Sequence, residues 1–289
     1  MTAKAFGIIG GDMRQIYMAE ALVKDGHKVL ICGFEKADLH SHNLSNDILS
    51  KVISESKYII LPVPITHDGK MVSAPFANKE IKINTDLEKM LKNKKVFGGI
   101  ISQFEKVIKT DSLDCLKDYY SREDFMVQNA VPSAEGAVKV AMEISEKVIN
   151  KSRCLVVGYG RIGKVLSKLL KNMGANVNVS ARCPRDLAWI DAMGYTSANI
   201  NTSDDALDYD LIFNTVPYLI FDEKMLLRCA KNTIIIDLAS APGGVDFKFA
   251  EKTGITAVQA LALPGKFFPK TAGEIIKKTI YAIIKEENL

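Results

Sequence analysis

The feature that most constrains the fold of this 289-residue chain is a repeated alternation of short apolar runs with helical patterns. The apolar runs lie at residues 6–9, 28–32, 58–63 and 96–101 in the first half, and at 154–157, 177–179, 211–213, 233–236 and 257–258 in the second. Such alternation is typical of strands that form parallel sheets covered by helices. The sequence therefore predicts an α/β fold with two sheets.

The boundary between the two halves is predicted close to a long helical pattern. FMVQNAV (125–131) is expected to form a last short strand of the first half. A long helix is then expected to start at Pro132, because proline, serine and an early glutamate are favoured in a first helical turn. The C-terminal helical pattern is expected to pack back on the first half. We predict an N-terminal substrate domain of residues 1–130 and 273–289, and a cofactor domain of residues 131–272.

The second half opens with a glycine motif between a predicted strand and a predicted helix. Gly158, Gly160 and Gly163 complete GxGxxG, in which the glycines permit a tight turn, backbone approach to a pyrophosphate and close helix–strand packing. The N–H groups at the start of the helix then bind the phosphates. This context favours a dinucleotide site over a simple glycine-rich turn. We expect two Rossmann-like domains with parallel sheets and a cleft between them.

The end of the next strand indicates which dinucleotide is bound. NAD sites usually place an acidic residue there for the ribose 2′-hydroxyl, whereas this strand ends with Ser180, Ala181 and Arg182. A guanidinium and a hydroxyl suit a 2′-phosphate, so NADP is favoured over NAD. The alternative is that Arg182 only stacks on the adenine.

Other cofactor contacts are predicted from position alone. Ligands of open α/β sheets bind beyond the carboxyl ends of the strands. The further candidates from the glycine motif and from these strand ends are Tyr159, Arg161, Ile162, Asn214, Thr215, Val216, Pro217, Asp237 and Ala239.

A turn nearer the N-terminus, GGDMRQ (10–15), has the layout of a nucleotide turn but different residues. Asp12 and Gln15 replace the second and third glycines, and a carboxylate would repel a pyrophosphate. The turn is therefore not expected to bind a dinucleotide. Arg14 lies in the first helical turn, where a cation opposes the helix dipole. It is expected either to pair with Asp12 or to bind a substrate carboxylate.

A loop before the last helix carries two further cations. LPGKFFPKTAGE (263–274) presents Lys266 and Lys270, and Thr271 is a candidate cap for the helix. Lysines beside a cofactor cleft indicate an anionic substrate, and solvated surface lysines are the alternative. Ser133, at the predicted start of the long helix, is expected either to bind an anion or only to cap that helix.

Composition excludes several classes of protein. A net charge of +4 without a basic stripe argues against nucleic acid, and no apolar stretch reaches the roughly 20 residues of a membrane helix. The five cysteines form no CxxC pair, which argues against a metal site or a disulfide framework. A cytoplasmic enzyme without a metal is expected.

The histidines all precede the predicted cofactor domain. They are His27, His40, His42 and His67. A cofactor-domain histidine, the usual proton carrier of 2-hydroxyacid dehydrogenases, is thus absent. The reaction must use another acid–base group or need little proton transfer. Only His67, which follows a predicted strand end, is a candidate.

Seven segments together resemble the A-subunit family of dipicolinate synthases over essentially the whole chain. They are GGDMRQ, ILPVP…DGK, NAVPSAEGA, GYGRIGK, NTVP, DLASAPGG and LPGKFFPKTAGE. The departures are Ser133, where threonine is expected, and Phe267-Phe268 within the lysine loop.

The resemblance implies NADP-dependent oxidation of a dihydrodipicolinate-type intermediate to dipicolinate, pyridine-2,6-dicarboxylate. It also implies a flavoprotein-like B subunit of dipicolinate synthase as partner and action in the mother-cell cytoplasm of a sporulating bacterium. Arg14, Lys266 and Lys270 would then bind the dicarboxylate. Aromatisation favours hydride loss, which reduces the need for a histidine base. The sequence leaves open whether the chain forms a homo-oligomer.

The sequence leaves two alternative functions open. The first is an NADP-binding regulatory or scaffold subunit whose partner performs the chemistry, which the lack of an obvious acid–base residue keeps open. The second is an oxidoreductase like shikimate or alanine dehydrogenase, which would need a catalytic pair with lysine in the first domain. No such pair is evident in the sequence.

Overall fold

The computed structural model describes residues 3–39, 44–108, 113, 115–200 and 206–289. The chain forms two compact units. The first contains residues 1–128 and 268–289, and the second contains residues 129–267. Among the described residues, no helix combines the length and the apolar character needed to cross a membrane.

The first unit is a parallel sheet with helices on both faces. Its strands are β1 (Ala5–Ile9), β2 (Lys28–Cys32), β3 (Tyr58–Ile60), β4 (Lys95–Gly98) and β5 (Cys115–Asp118). Its helices are α1 (Met13–Lys24), α2 (Leu49–Ser54), α3 (Thr85–Leu91), α4 (Ser102–Glu105), the start of α5 (Glu123–Ile144) and, at the C-terminus, α11 (Pro269–Glu286). The strand order is β2-β1-β3-β4-β5, and every pair is parallel.

The second unit repeats this architecture with six strands. They are β6 (Arg153–Val157), β7 (Asn176–Ser180), β8 (Thr196–Ser197), β9 (Leu211–Asn214), β10 (Ile234–Asp237) and β11 (Thr256–Gln259). Besides the rest of α5, the helices are α6 (Arg161–Asn172), α7 (Pro184–Ala192), α8 (Glu223–Leu226), α9 (Phe247–Thr253) and α10 (Leu263–Phe267). The order β11-β10-β9-β6-β7-β8 is that of a Rossmann fold, so the predicted fold class is confirmed.

The core of each unit has two layers because strand side chains alternate between the faces of the sheet. In β3, Tyr58 and Ile60 belong to one cluster of buried residues and Ile59 to the other. In β6, Cys154 and Val156 face one cluster, whereas Leu155 and Val157 face the other. Sheets buried on both faces explain the nearly continuous apolar runs in the sequence.

The last helix packs on the first unit, as predicted. α11 lies against α1 so closely that a Cβ at Gly273 would be 2.4 Å from the carbonyl oxygen of Arg14. Lys277 Nζ and the hydroxyl of Tyr281 both bind Asp25 Oδ2 at the end of α1. Thr271 does not cap this helix, because the helix starts at Pro269 and Phe268 occupies the N-cap.

One predicted strand is absent, and one observed strand was not predicted. Residues 125–131 are not a strand, because α5 starts at Glu123 and continues through Pro132. Phe125 is buried in the core of the first unit, and Ala134, Ala137 and Ala141 are buried in the core of the second, so packing on both sides of the proline maintains the helix. β5 was not predicted, because this short edge strand ends in Lys117 and Asp118 and lacks an apolar run.

Candidate functional site

The glycine motif forms a tight turn from β6 into α6. Gly158 has a φ of +97°, and a Cβ there would lie 2.4 Å from Thr215 Oγ1. At Gly163, a Cβ would lie 2.1 Å from the carbonyl oxygen of Gly158. Neither position has room for a side chain, so both glycines are needed to bring the helix close to the strand.

Gly160 differs from the other two glycines. It is the N-cap of α6, has a φ of −77° and would place a Cβ with no heavy atom within 4 Å. The backbone here is unstrained, so the absent side chain leaves open space in front of the helix. A ligand oxygen can take the place that a capping side chain would occupy, where the helix dipole favours an anion.

A cavity of about 410 Å³ adjoins this turn within the second unit. Of the predicted cofactor residues, it is lined by Gly158, Tyr159, Gly160, Ser180, Ala181, Arg182, Thr215, Val216 and Pro217. The lining residues that sequence reasoning missed include Cys183, Asp186, Ile200, Tyr218 and Ile220. Tyr218 and Ile220 directly follow the NTVP segment, so extending the predicted site by three residues beyond Pro217 would have included them.

The cavity wall includes two tyrosines, Tyr159 and Tyr218, and two charged residues, Arg182 and Asp186. Tyr218 is 68% exposed as a residue, and an exposed aromatic ring can contact a planar ligand. Arg182 is exposed, and Asp186 lies one helical turn away in the first turn of α7. Asp186 Oδ1 accepts from Arg185 Nε at 3.3 Å, which partly neutralises that carboxylate.

The other predicted cofactor residues lie behind or beside this wall. Arg161, Ile162 and Gly163 form the first turn of α6. Asn214, Asp237 and Ala239 are buried and do not line the cavity. The strand-end rule selects residues at or just after the carboxyl ends of β9 and β10, but it does not give the direction of their side chains.

In the first unit, Arg14 is paired with Asp12. Its Nε and Nη2 lie 2.9 and 2.8 Å from Asp12 Oδ1 and Oδ2, and Nη2 also donates to the carbonyl oxygen of Val63 at 2.7 Å. Burial lowers the pKa of Arg14, but the hydrogen bonds and charge of Asp12 outweigh this and leave the pKa raised. The pairing expected from the sequence is therefore present, and Arg14 is a fixed cation.

Asp12 and Gln15 also explain why GGDMRQ starts a helix. Asp12 Oδ1 accepts from the N–H of Arg14, and Gln15 Oε1 accepts from the N–H of Asp12 at 3.0 Å. This reciprocal capping box occupies the start of α1. The first turn thus caps itself, whereas α6 in the second unit starts without a side-chain cap.

The remaining predicted catalytic residues lie in different settings. Lys266 is exposed in α10 with its Nζ 5.0 Å from the Phe267 ring centre, and Lys270 is exposed in the first turn of α11. Ser133 is not at a helix start, because α5 begins ten residues before it. Its hydroxyl is buried and donates to the carbonyl oxygen of Asn129 at 2.7 Å, so both suggested roles at a helix terminus are wrong.

The histidines offer little to a catalytic site. His27 is 6% exposed, and its Nδ1 accepts from the backbone N–H of Lys4 at 3.3 Å. Burial lowers its pKa. His67 is exposed in a loop, and His40 and His42 lie outside the described residues.

A larger cavity, of about 650 Å³, lies elsewhere in the first unit. Its rim carries Glu35, Asp47 and Lys82, together with other acidic, basic and amide side chains. Asp47 pairs with Lys51, and Glu35 accepts from Asn46. None of the predicted site residues lines this cavity, so the smaller one beside the glycine turn is the candidate functional site.

Comparison with known proteins gives a consistent result. Residues 5–117 match the family described as the N-terminal domain of the dipicolinate synthase A subunit. The dipicolinate synthase A subunit of Bacillus subtilis (strain 168) is 32% identical over 292 residues, covering 99% of this chain and 97% of the relative.

Solved structures resemble the chain over its whole length. The dipicolinate synthase A subunit from Bacillus halodurans has a TM-score of 0.86 at 31% identity and covers 97% of both chains. Its counterpart from Bacillus subtilis has the same TM-score and identity, covering 99% of this chain and 97% of that one. A transhydrogenase from Sinorhizobium meliloti has a TM-score of 0.71 at 12% identity, covering 98% and 94%, and shares the fold.

Proposed function

Because the chain belongs to the A-subunit family of dipicolinate synthases, we propose that it catalyses NADP-dependent oxidation of a dihydrodipicolinate-type intermediate to pyridine-2,6-dicarboxylate. The observation that carries this proposal is the open space at Gly160, at the start of α6 and beside a 410 Å³ cavity. A pyrophosphate fits this position, because only backbone and positive helix dipole face it. A bound nicotinamide supplies a hydride acceptor for a ring that becomes aromatic.

NADP is proposed over NAD because of the charges at the end of β7. Exposed Arg182 offers a planar fork for a 2′-phosphate, and no carboxylate follows the strand directly. Asp186 also lines the cavity, but Arg185 compensates its charge. The balance at the cavity wall therefore favours an additional phosphate.

The substrate carries two carboxylates, and the proposal assigns cations to them. Arg14 is held rigidly by Asp12 and by the carbonyl oxygen of Val63, so little side-chain entropy is lost on binding. Lys266 and Lys270 are exposed and supply mobile charges. Conversion of the dihydropyridine to pyridine releases one hydride and one proton. The gain of aromaticity favours this loss, so no histidine is assigned as base.

The proposal also includes a biological setting. We propose that the chain acts with a flavoprotein-like B subunit in the cytoplasm of a mother cell during sporulation. A regulatory or scaffold role, with chemistry in the partner, is the second candidate function. This role is favoured by the composition of the cavity wall. Among the described residues that line the cavity, none is a histidine.

The two functions are separated by assaying the purified chain alone and with the B subunit. The dihydrodipicolinate-type substrate is generated in the cuvette, and absorbance of the reduced nicotinamide is followed with NADP and then with NAD. The proposal expects turnover by this chain that requires the dinucleotide. Pyridine-2,6-dicarboxylate formed by the pair without any dinucleotide would favour the scaffold instead.

A further inference from the structure

A buried side-chain pair joins β9, whose following segment lines the candidate cavity, to the neighbouring strand β10. Asn214 ends β9 and Asp237 ends the neighbouring strand β10. Both side chains are fully buried, with 0% exposure. Asn214 Nδ2 donates to Asp237 Oδ1 at 2.8 Å. Neither residue can touch a ligand in the cavity, so any influence on binding must act through their neighbours.

Asn214 holds the wall of the cavity by its backbone. Its Oδ1 accepts from the N–H of Val216 at 3.2 Å, and its Nδ2 donates to the carbonyl oxygen of Val216 at 3.0 Å. Val216 lines the cavity together with Thr215, Pro217 and Tyr218. One amide side chain thus fixes both polar backbone groups of the central wall residue.

Asp237 holds the loop that supports this wall from behind. Its Oδ1 accepts from the N–H of Ala239 at 3.1 Å, and its Oδ2 accepts from the N–H of Gly244 at 2.9 Å. The carbonyl oxygen of Gly244 in turn accepts from the N–H of Ile220, which lines the cavity, at 3.0 Å. A Cβ at Gly244 would lie 2.0 Å from Asn214 Nδ2, which shows how tightly this layer is packed.

The chemistry of the pair is specific. All three partners of Asp237 are donors, namely one side-chain amide and two backbone N–H groups. Only a carboxylate accepts at both of its oxygens. An asparagine would turn an NH₂ group towards one of these donors and leave it buried without a partner.

We propose that Asn214 and Asp237 are positioning residues for the dinucleotide, which fix the wall formed by residues 215–220 in the shape that binds it. The proposal rests on the proposed function, because the wall has this role only if the cavity binds a dinucleotide. Buried, satisfied networks of this kind make one wall geometry more stable than its alternatives.

The test measures dissociation constants for NADP and NAD by fluorescence titration, together with the melting temperature of each variant. Asn214→Ala releases Val216 but leaves Asp237 its two backbone donors. Asp237→Asn disrupts the centre of the pair. Thr233→Val is the matched control, because Thr233 is fully buried just before β10 and donates one hydrogen bond, to the carbonyl oxygen of Tyr209, at the opposite end of that strand.

Asn214→Ala and Asp237→Asn are each expected to lose dinucleotide affinity by about tenfold or more. Asn214→Ala removes the two buried hydrogen bonds to Val216, and Asp237→Asn disrupts those of a buried carboxylate. Thr233→Val should lower the melting temperature and leave affinity unchanged. If Asp237→Asn does not fold, the dinucleotide affinities of Asn214→Ala and Thr233→Val are compared to test the positioning role.

Failure of this proposal and failure of the proposed function give different results. If the wild-type chain binds neither dinucleotide, the proposed function is wrong and the positioning role falls with it. If the wild type binds and Asn214→Ala binds equally well, or no more weakly than Thr233→Val, only the positioning role is wrong.

Discussion

Arg14 Nη2 bridges the carboxylate of Asp12, at 2.8 Å, and the carbonyl oxygen of Val63, at 2.7 Å. The same carboxylate caps α1. The turn after β1 therefore fixes a guanidinium beyond the carboxyl end of a parallel sheet, where α/β proteins bind ligands. A dinucleotide turn would have glycines in place of Asp12 and Gln15, so the two units have similar turns built from different residues.

Replacing Arg14 by lysine tests the assignment of this cation to the substrate. Arg14→Lys keeps the charge but loses the planar fork, so KM for the dicarboxylate should rise about tenfold or more, while the dissociation constant for NADP stays unchanged. Arg122→Lys is the matched control, because Arg122 forms a similar two-point pair with Asp124 on the surface of the same unit. Equal effects of the two substitutions on KM would contradict the assignment.

The glycines of the second turn should separate folding from binding. Gly163→Ala forces a methyl group against the carbonyl oxygen of Gly158 and should destabilise the fold by about 1–3 kcal/mol or more. Gly160→Ala meets no atom, so its effect on stability should stay below about 1 kcal/mol while dinucleotide affinity falls. Thermal unfolding and dinucleotide titration measure the two effects. Unchanged affinity in Gly160→Ala would place the pyrophosphate elsewhere.

Arg182 is expected to determine the preference for NADP. Arg182→Ala should weaken NADP binding by about tenfold to a hundredfold, as expected for a lost charge-assisted contact, and leave NAD binding nearly unchanged. Arg153→Ala is the control, since Arg153 is exposed at the start of β6, the end opposite the cavity, and pairs with Asp208. Equal losses for both dinucleotides in Arg182→Ala would indicate stacking on the adenine instead.

His27 should make the stability of the fold depend on pH. Burial lowers its pKa from the usual 6.5, and its Nδ1 accepts a hydrogen bond that protonation there would break. The unfolded chain therefore binds the proton more tightly, so the contribution of this group is complete above pH 6.5 and declines as pH falls towards the folded pKa. Urea unfolding of wild type and His27→Gln across that window measures it. A parallel pH dependence in both proteins would exclude His27 as the source.

The glycine motif was predictable because its requirements are local. The positive φ of Gly158 and the close approach of Gly163 to Gly158 belong to one strand–turn–helix segment, which the sequence contains in order. Asn214 and Asp237 were predicted as cofactor contacts because they end strands. Their inward direction depends on partners as distant as Gly244, which position along a strand does not reveal.

The long helix shows a different limit. Pro132 and Ser133 are typical of a helix start, yet they lie within α5. Burial of Phe125 before the proline and of Ala134 after it outweighs the local signal, and the hydroxyl of Ser133 donates to the carbonyl oxygen of Asn129 within the helix. Tertiary packing determines where this helix begins, so the role of Ser133 at a helix start, which was inferred from that boundary alone, was wrong.

The central claim is that this chain oxidises its substrate with a dinucleotide bound at the Gly158–Gly163 turn. The most direct test uses a dihydrodipicolinate-type substrate deuterated at its saturated ring carbons and measures the mass of the dinucleotide after a single turnover. If the dinucleotide accepts the hydride, each molecule of pyridine-2,6-dicarboxylate formed is expected to yield one reduced nicotinamide that carries one deuterium. Formation of that product with an unlabelled, oxidised dinucleotide would contradict it.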